Sequence, residues 1–267
     1  MTQCEFIILG CGGSGGVPLV TGYWGNCDPS NPKNRRMRSS IAIRTARTCV
    51  VIDTGPDFHE QTLRHNISNI DAVMYTHEHA DHINGIDDVR YLAIKKRING
   101  HKDYKFPIYG SFNTLESIQN RFDYLFHTDP QGLYIPLIDT HIIEPYKNMI
   151  IGDIAIKPVP QMHGAGESMG FIAGDIAYST DVSELSDEAL KALNGIRVWV
   201  VDCGQFGSDQ TTVHANFEKV LQWNDTVQAE KLVFTHLKAS DDYNEMMNGT
   251  PDFIEPAYDG MILTTLI

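Results

Sequence analysis

Long apolar runs are missing from this chain. No stretch of its 267 residues approaches the roughly 20 consecutive apolar residues of a membrane-spanning helix. The opening Met1-Thr2-Gln3-Cys4-Glu5-Phe6 has neither the basic start nor the apolar core of a secretory signal, which predicts a cytoplasmic protein. Cysteine is sparse: Cys4, Cys11, Cys27, Cys49 and Cys203 are odd in number, scattered and without a C-x-x-C pair. They read as small buried hydrophobes, not as a disulfide framework or a thiolate metal site. Basic residues are also scarce, 21 Lys and Arg against 34 Asp and Glu, for a formal net charge of −13. That balance argues against bulk nucleic-acid binding and against anionic membranes. Repeats, low-complexity tracts and interdomain linkers are absent. With 42% apolar and 21% charged residues the composition is that of a globular protein, read as a single domain over 1–267.

What is present is a dense group of metal-ligand side chains, Thr76-His77-Glu78-His79-Ala80-Asp81-His82, directly after the apolar run Ala72-Val73-Met74-Tyr75. Imidazole with carboxylate suits zinc, manganese or iron. His77 and His79 are two apart, so on an extended segment they point to one side. Asp81 and His82 follow where the chain turns into a helix and reach a second point in space. One stretch thus offers two ligand pairs, which suggests two metals. A histidine-rich surface loop is the bland alternative, and chance rarely spaces these residue types this way.

The remaining pattern is mixed. Strands are expected at Cys4 to Leu9, Ile41 to Thr45, Cys49 to Asp53, Ile154 to Val159, Ile176 to Ser179, Val198 to Asp202 and Lys231 to Phe234. Helices are expected at Asp57 to Arg64, Gly85 to Arg97, Thr114 to Phe122, Ser186 to Leu193 and Val213 to Trp223. This predicts an α/β domain of two packed sheets flanked by helices, without regular strand-helix alternation. His163, Asp181 and His236 each follow an apolar strand, as Asp81 and His82 do, and loops at one sheet edge commonly carry catalytic groups.

The long irregular stretch from about Gly10 to Ser40 holds two further features. Gly10 to Gly16 could present backbone N–H groups to a phosphate, although it lacks the Lys-Ser/Thr end of a P-loop and tight packing is its expected use. Lys33-Asn34-Arg35-Arg36-Met37-Arg38 puts four of the 21 basic residues into six positions. It is either a solvated loop or a receiver for substrate phosphate through Arg35, Arg36 and Arg38.

In order along the chain, Val51-Ile52-Asp53-Thr54-Gly55, the His77/His79/Asp81/His82 group, His163, Asp181 and His236 resemble the motifs of metallo-β-lactamase superfamily hydrolases. The resemblance spans nearly the whole chain and implies a four-layer αββα sandwich with its site at one edge. Gly10 to Pro18, Arg35-Arg36, Val201-Asp202-Cys203, His214 and Tyr258-Asp259-Gly260-Met261 are most similar to phosphoribosyl 1,2-cyclic phosphate phosphodiesterases of the carbon–phosphorus lyase pathway. The chain departs from them at a structural zinc site: one cysteine stands in Tyr23 to Pro29, and Ala239 lies three residues beyond His236, so no structural zinc is expected.

By this resemblance His77, His79 and His163 hold one metal, Asp81, His82 and His236 the other, and Asp181 bridges them. Such a pair, manganese or zinc or iron, shares a hydroxide and clamps both oxygens of an in-line displacement. Asp53 orients the ligands. Asp81 and His214 are the catalytic candidates, His214 as the acid for the departing alkoxide. His59, His65, His101, His127 and His141 read as structural or surface. The expected activity is hydrolysis of a small cyclic or nucleotide phosphodiester, and the relatives suggest a homodimer. Alternatives are a tRNA 3′-processing endonuclease, disfavoured by the acidic charge, a thioester or lactone hydrolase, and a non-catalytic metal-binding domain.

Overall fold

The computed structural model describes residues 2–128, 131–132, 135–208 and 212–267. The first half of the chain carries β1 (Gln3–Gly10), β2 (Ser40–Arg44), β3 (Cys49–Ile52), α1 (Phe58–Arg64), β4 (Ala72–Met74), α2 (Ala80–Ile83), α3 (Val89–Ile98), β5 (Phe106–Gly110), α4 (Phe112–Arg121) and β6 (Ile138–Ile142). The second carries β7 (Met149–Ile151), β8 (Ile154–His163), β9 (Gly166–Ala173), β10 (Ile176–Ser179), α5 (Asp187–Leu193), β11 (Val198–Asp202), α6 (Phe217–Val227), β12 (Lys231–Thr235), α7 (Tyr243–Gly249), β13 (Ile254–Pro256) and β14 (Ile262–Leu266).

Among the described residues these strands form two seven-stranded sheets, ordered β14-β1-β2-β3-β4-β5-β6 and β13-β12-β11-β10-β9-β8-β7. Period-two alternation explains the layering. Phe6, Ile8, Ile41, Ile43, Val50 and Ile52 face the other sheet and meet Ile154, Phe171, Tyr178, Val198 and Val200. The intervening Ile7, Leu9, Ala42, Val51 and Val73 pack on Phe58, Ile83, Val89, Leu115 and Ile118 of the outer helices. On the far side Trp199, Val201, Leu232 and Phe234 meet Ala189, Leu193, Val220 and Trp223. Helix, sheet, sheet and helix make the predicted αββα sandwich, each fully buried large side chain contributing about 1.5–3 kcal/mol.

Three expectations change. Strand-helix alternation does occur, because β3 to β6 run parallel, as do β10 to β13. The helix predicted from Gly85 begins instead at Val89, behind a 3-10 turn over Ile86–Asp88. The helix predicted from Val213 begins at Phe217, where Asn216 accepts a hydrogen bond from the Lys219 N–H as N-cap. His214 therefore sits in the coil ahead of the cap, free of helix geometry. Ser186 caps α5 as expected, accepting from the Ala189 N–H.

Candidate metal centre

The short strand β4 delivers Thr76 to His79 as an extended segment, and His79 is the N-cap of α2 at φ −65° and ψ 149°. His77 and His79 thus lie on extended chain, Asp81 and His82 on the first helical turn. The other groups arrive at the same edge from the second sheet: His163 ends β8, Asp181 follows β10, and His236 follows β12. Asp53, Asp181 and His236 all have left-handed backbone, with φ of 66°, 52° and 59°. Such strain costs of order 1–3 kcal/mol per residue and clusters where the surrounding structure holds a functional group in place.

Two donor sets result. The ligand atoms of His77, His79 and His163 lie within 4.8 Å of one another, as do those of Asp81, His82 and His236. Asp181 touches both sets, its Oδ1 at 3.4 Å from Nε2 of His163 and of His236, and its Oδ2 at 3.2 Å from Nε2 of His82. Their separate neighbours fix the tautomers. The Asp53 carboxylate accepts from Nδ1 of His82 at 2.7 Å and from the backbone N–H and hydroxyl of Thr76, each at 2.8 Å. With its proton given to Asp53, the Thr76 hydroxyl can only accept from Nδ1 of His77, at 2.9 Å. His163 donates from Nδ1 to the Val213 carbonyl at 2.6 Å. Each hydrogen bond leaves an Nε2 lone pair directed at the cluster, the arrangement typical of metal-ligating histidine.

The residues fit a pair of divalent ions. Nε2 of His77, His82 and His236 is buried without a hydrogen-bond partner, a cost that a cation relieves. The clustered carboxylates demand positive charge as well. Burial disfavours charge on both His77 and His82. It leaves the His77 imidazole well below its usual range, while Asp181 and Asp53 overcome it at His82 and hold that imidazole well above. Burial also opposes ionisation of Asp81, yet contact with His82 takes its carboxyl down to about 2. His236 is wedged between glycines: a Cβ on Gly13 would lie 3.2 Å from its Cε1, and one on Gly204 would lie 3.1 Å from its Nδ1.

His214 joins the centre without belonging to either set. Its ring stacks on His236 at 4.3 Å between centroids, and its Nδ1 donates to Oδ2 of Asp202 at 2.7 Å. Asp202 is fully buried, and its carboxylate also accepts from the backbone N–H of Gly204 and of Val182. Burial works against a charged His214, but Asp202 overcomes it and holds the imidazole above its usual range. Sequence reasoning gave Asp202 no role, although it ends β11 at the edge where the other groups collect.

The three arginines do not converge on the centre. Arg36 is 2% exposed, with its terminal nitrogens donating to the carbonyls of Lys238 at 3.1 Å and Asp241 at 2.7 Å. That corrects the expectation of a phosphate contact: the guanidinium is desolvated and turned inward, with both terminal nitrogens on backbone carbonyls and Nε buried. Arg38 is paired with Asp57 at 2.9 Å and donates from Nε to the Ser14 carbonyl. Arg35 lies over the Trp24 ring at 5.2 Å. These side chains fasten the long loop.

Residues 48–237 match the model of the beta-lactamase superfamily domain, and the chain belongs to that superfamily. Its αββα fold and paired donor sets define a metal-dependent hydrolase. A solved structure of a new diphosphatase from the PhnP family is 30% identical, with 97% of each chain covered and a TM-score of 0.83. Zinc-bound PqqB from Methylobacterium extorquens shares the fold at 17% identity, TM-score 0.73, over 97% of this chain and 99% of that one. An octanoyltransferase from Porphyromonas gingivalis is 28% identical over 257 residues, 96% of this chain but 50% of that protein. The chain therefore spans about half the length of this curated relative. Among the described residues no helix is long and apolar enough to cross a membrane.

Proposed function

We propose that the protein hydrolyses a small phosphodiester, cyclic or nucleotide-derived, at a two-metal centre. His77, His79 and His163 would hold one ion, Asp81, His82 and His236 the other, with Asp181 shared. Bound zinc, manganese or iron would supply Lewis acidity and a water acidic enough to attack at neutral pH. The protein's own contribution is positional. Asp53 and Thr76 hold His82 and His77 with Nε2 directed inward, Val213 does the same for His163, and His214 gives a proton to the departing oxygen.

The observation that carries this reading is the Asp202–His214 pair, 2.7 Å apart beside His163 and His236. An alkoxide leaving group needs a proton, and an imidazole whose protonated form a buried carboxylate favours is placed to give it. A thiolate leaving group does not. The similarity to the PhnP-family diphosphatase supports a phosphorus substrate, and extends the candidates to diphosphates. The octanoyltransferase relative favours one second reading, hydrolysis of an acyl ester or thioester. The pairing of β14 with β1 supports reading residues 1–267 as one domain. A homodimer and a cytoplasmic location remain part of the proposal.

The test is turnover by manganese- and zinc-loaded protein of bis(p-nitrophenyl) phosphate, a ribose cyclic phosphate and p-nitrophenyl octanoate. The two phosphates should be cleaved and the octanoate spared. His214→Ala should lower kcat on the cyclic phosphate by roughly 10²–10⁴-fold, the usual share of a general acid, and less on the good p-nitrophenolate leaving group. Cleavage of the octanoate alone would overturn the proposal.

A further inference from the structure

Asp181 faces both donor sets, but its two oxygens do so differently. Oδ1 lies 3.4 Å from Nε2 of His163 in the first set and 3.4 Å from Nε2 of His236 in the second, whereas Oδ2 approaches Nε2 of His82 at 3.2 Å. Oδ2 also receives the Thr180 hydroxyl at 2.8 Å. The terminal torsion of an aspartate is soft, so a hydrogen bond to one oxygen decides where the other points.

Thr180 is held in its turn. Gln161 and Ser168 stand opposite each other on β8 and β9. Nε2 of Gln161 donates to the Thr180 carbonyl and, at 3.0 Å, to Oγ of Ser168. The Ser168 hydroxyl donates to the Asp181 carbonyl at 2.7 Å. The pair therefore grips the carbonyls of both 180 and 181, where Asp181 has left-handed backbone at φ 52°. This cluster works against the stability of the fold. Gln161, Ser168 and Thr180 are all buried, and Oε1 of Gln161 has no hydrogen-bond partner among the described residues. A Cβ on Gly170 would lie 2.8 Å from that oxygen, so the glycine makes room for it. Apolar side chains would fill the space without an unsatisfied acceptor. What the polar cluster provides instead is a fixed, strained Asp181, and strain of this kind collects at functional sites.

We propose that Thr180 is a positioning residue for the centre. Its hydroxyl holds the Asp181 carboxylate so that Oδ1 is the oxygen both ions share, and Gln161 and Ser168 fix the backbone that presents it. Without the hydroxyl the carboxylate turns, and the shared site loosens for the more weakly held ion. This rests on the two-metal reading above and adds to it the residues that set the bridge.

The test is calorimetric titration of metal-free protein with manganese, beside urea unfolding of the same metal-free samples. Thr180→Val keeps the shape of the side chain and loses the hydroxyl. It should weaken the second of two binding steps by roughly 10–100-fold, the usual effect of losing a partner that orients a metal ligand. Thr180→Ser keeps the hydroxyl and should restore most of that affinity. In an Asp181→Ala background, adding Thr180→Val should leave the affinity of the remaining ion unaltered, because no carboxylate is left to hold. Gln161→Met releases the 180 carbonyl without touching the carboxylate. It should weaken the same step by a smaller factor, and it carries the test if Thr180→Val does not fold. Equal losses in Thr180→Val and Thr180→Ser, or a further loss in the Asp181→Ala background, would overturn the proposal. So would a folded variant whose metal-free stability falls while its manganese affinity stays at the wild-type value, since the cluster then serves the fold alone. Wild-type protein that takes up fewer than two ions per chain defeats the two-metal reading itself, and the Thr180 proposal with it.

Discussion

The two halves of the molecule build their shares of the centre in different ways. The first supplies His77, His79, Asp81 and His82 from one passage, the exit of β4 into α2. The second supplies His163, Asp181, His214 and His236 singly, from the end of β8, after β10, ahead of α6 and after β12. A local event places the first group. The second depends on the register of β9 through β12, in which Tyr178 pairs with Val200 and Val200 with Val233. A contiguous motif sets which chemistry is on offer, and the sheet decides whether it closes into a two-metal site.

The sharpest break in that comparison is at Asp181, where the halves meet. Its carboxylate contacts His82 from the first half and His163 and His236 from the second. Asp181→Ala should lower kcat by a factor of about 10³ or more, the scale of removing a charge-stabilising group at a reacting centre. Elemental analysis should show fewer than two ions per chain. Full occupancy with near-normal turnover would show that the halves assemble without it.

A second pair of substitutions separates the halves by role. Asp53 buttresses the first half through His82 and Thr76, and Asp202 buttresses the second through His214. Asp53→Asn should weaken metal binding by roughly 10–100-fold, as loss of a ligand-orienting partner typically does. Asp202→Asn should leave metal content alone and lower kcat by roughly 10–100-fold on poor leaving groups. A chelator titration alongside turnover distinguishes them. If both variants lose metal equally, His214 is a ligand and not a proton donor.

Legibility followed the same division. The first half's candidate ligands could be read directly, because their chemistry and spacing sit in one window. His163, Asp181 and His236 could be read only by their shared place after apolar strands, and Asp202 shared that place without being given a role. What hid Asp202 is that its significance lies in a partner 12 positions away in coil. His214 could be singled out as a candidate by chemistry but was misplaced as structure, since the Asn216 cap starts α6 later than the apolar pattern suggested. The arginine cluster misled for a physical reason: a charge run looks solvated in sequence, yet Arg36 folds inward because carbonyls at 238 and 241 are waiting for it. The strand β13, one partner of the second sheet's parallel pairs, was missed because it is only three residues long.

The smallest effect concerns a residue outside both ligand sets. Asp259 lies in the turn before β14 and ties that turn to the first half's long loop, accepting from the Cys11 N–H at 3.1 Å and the Met37 N–H at 2.8 Å. Burial pushes its carboxyl up from 3.8 to about 7, against those hydrogen bonds. A folded-state pKa above the unfolded value means that folding takes up a proton. The associated stability is complete below pH 3.8 and is lost as pH rises through about 7. Asp259→Asn cannot titrate, so it lacks this slope, while its amide nitrogen opposes one of the backbone N–H donors at every pH. The stability gap between wild type and Asp259→Asn, measured by urea denaturation, should therefore narrow by about 2 kcal/mol between pH 5 and pH 8. A gap that stays constant across that range would mean the two backbone donors outweigh burial and keep the carboxylate ionised throughout, so that the tie between the terminal turn and the loop is a charged one.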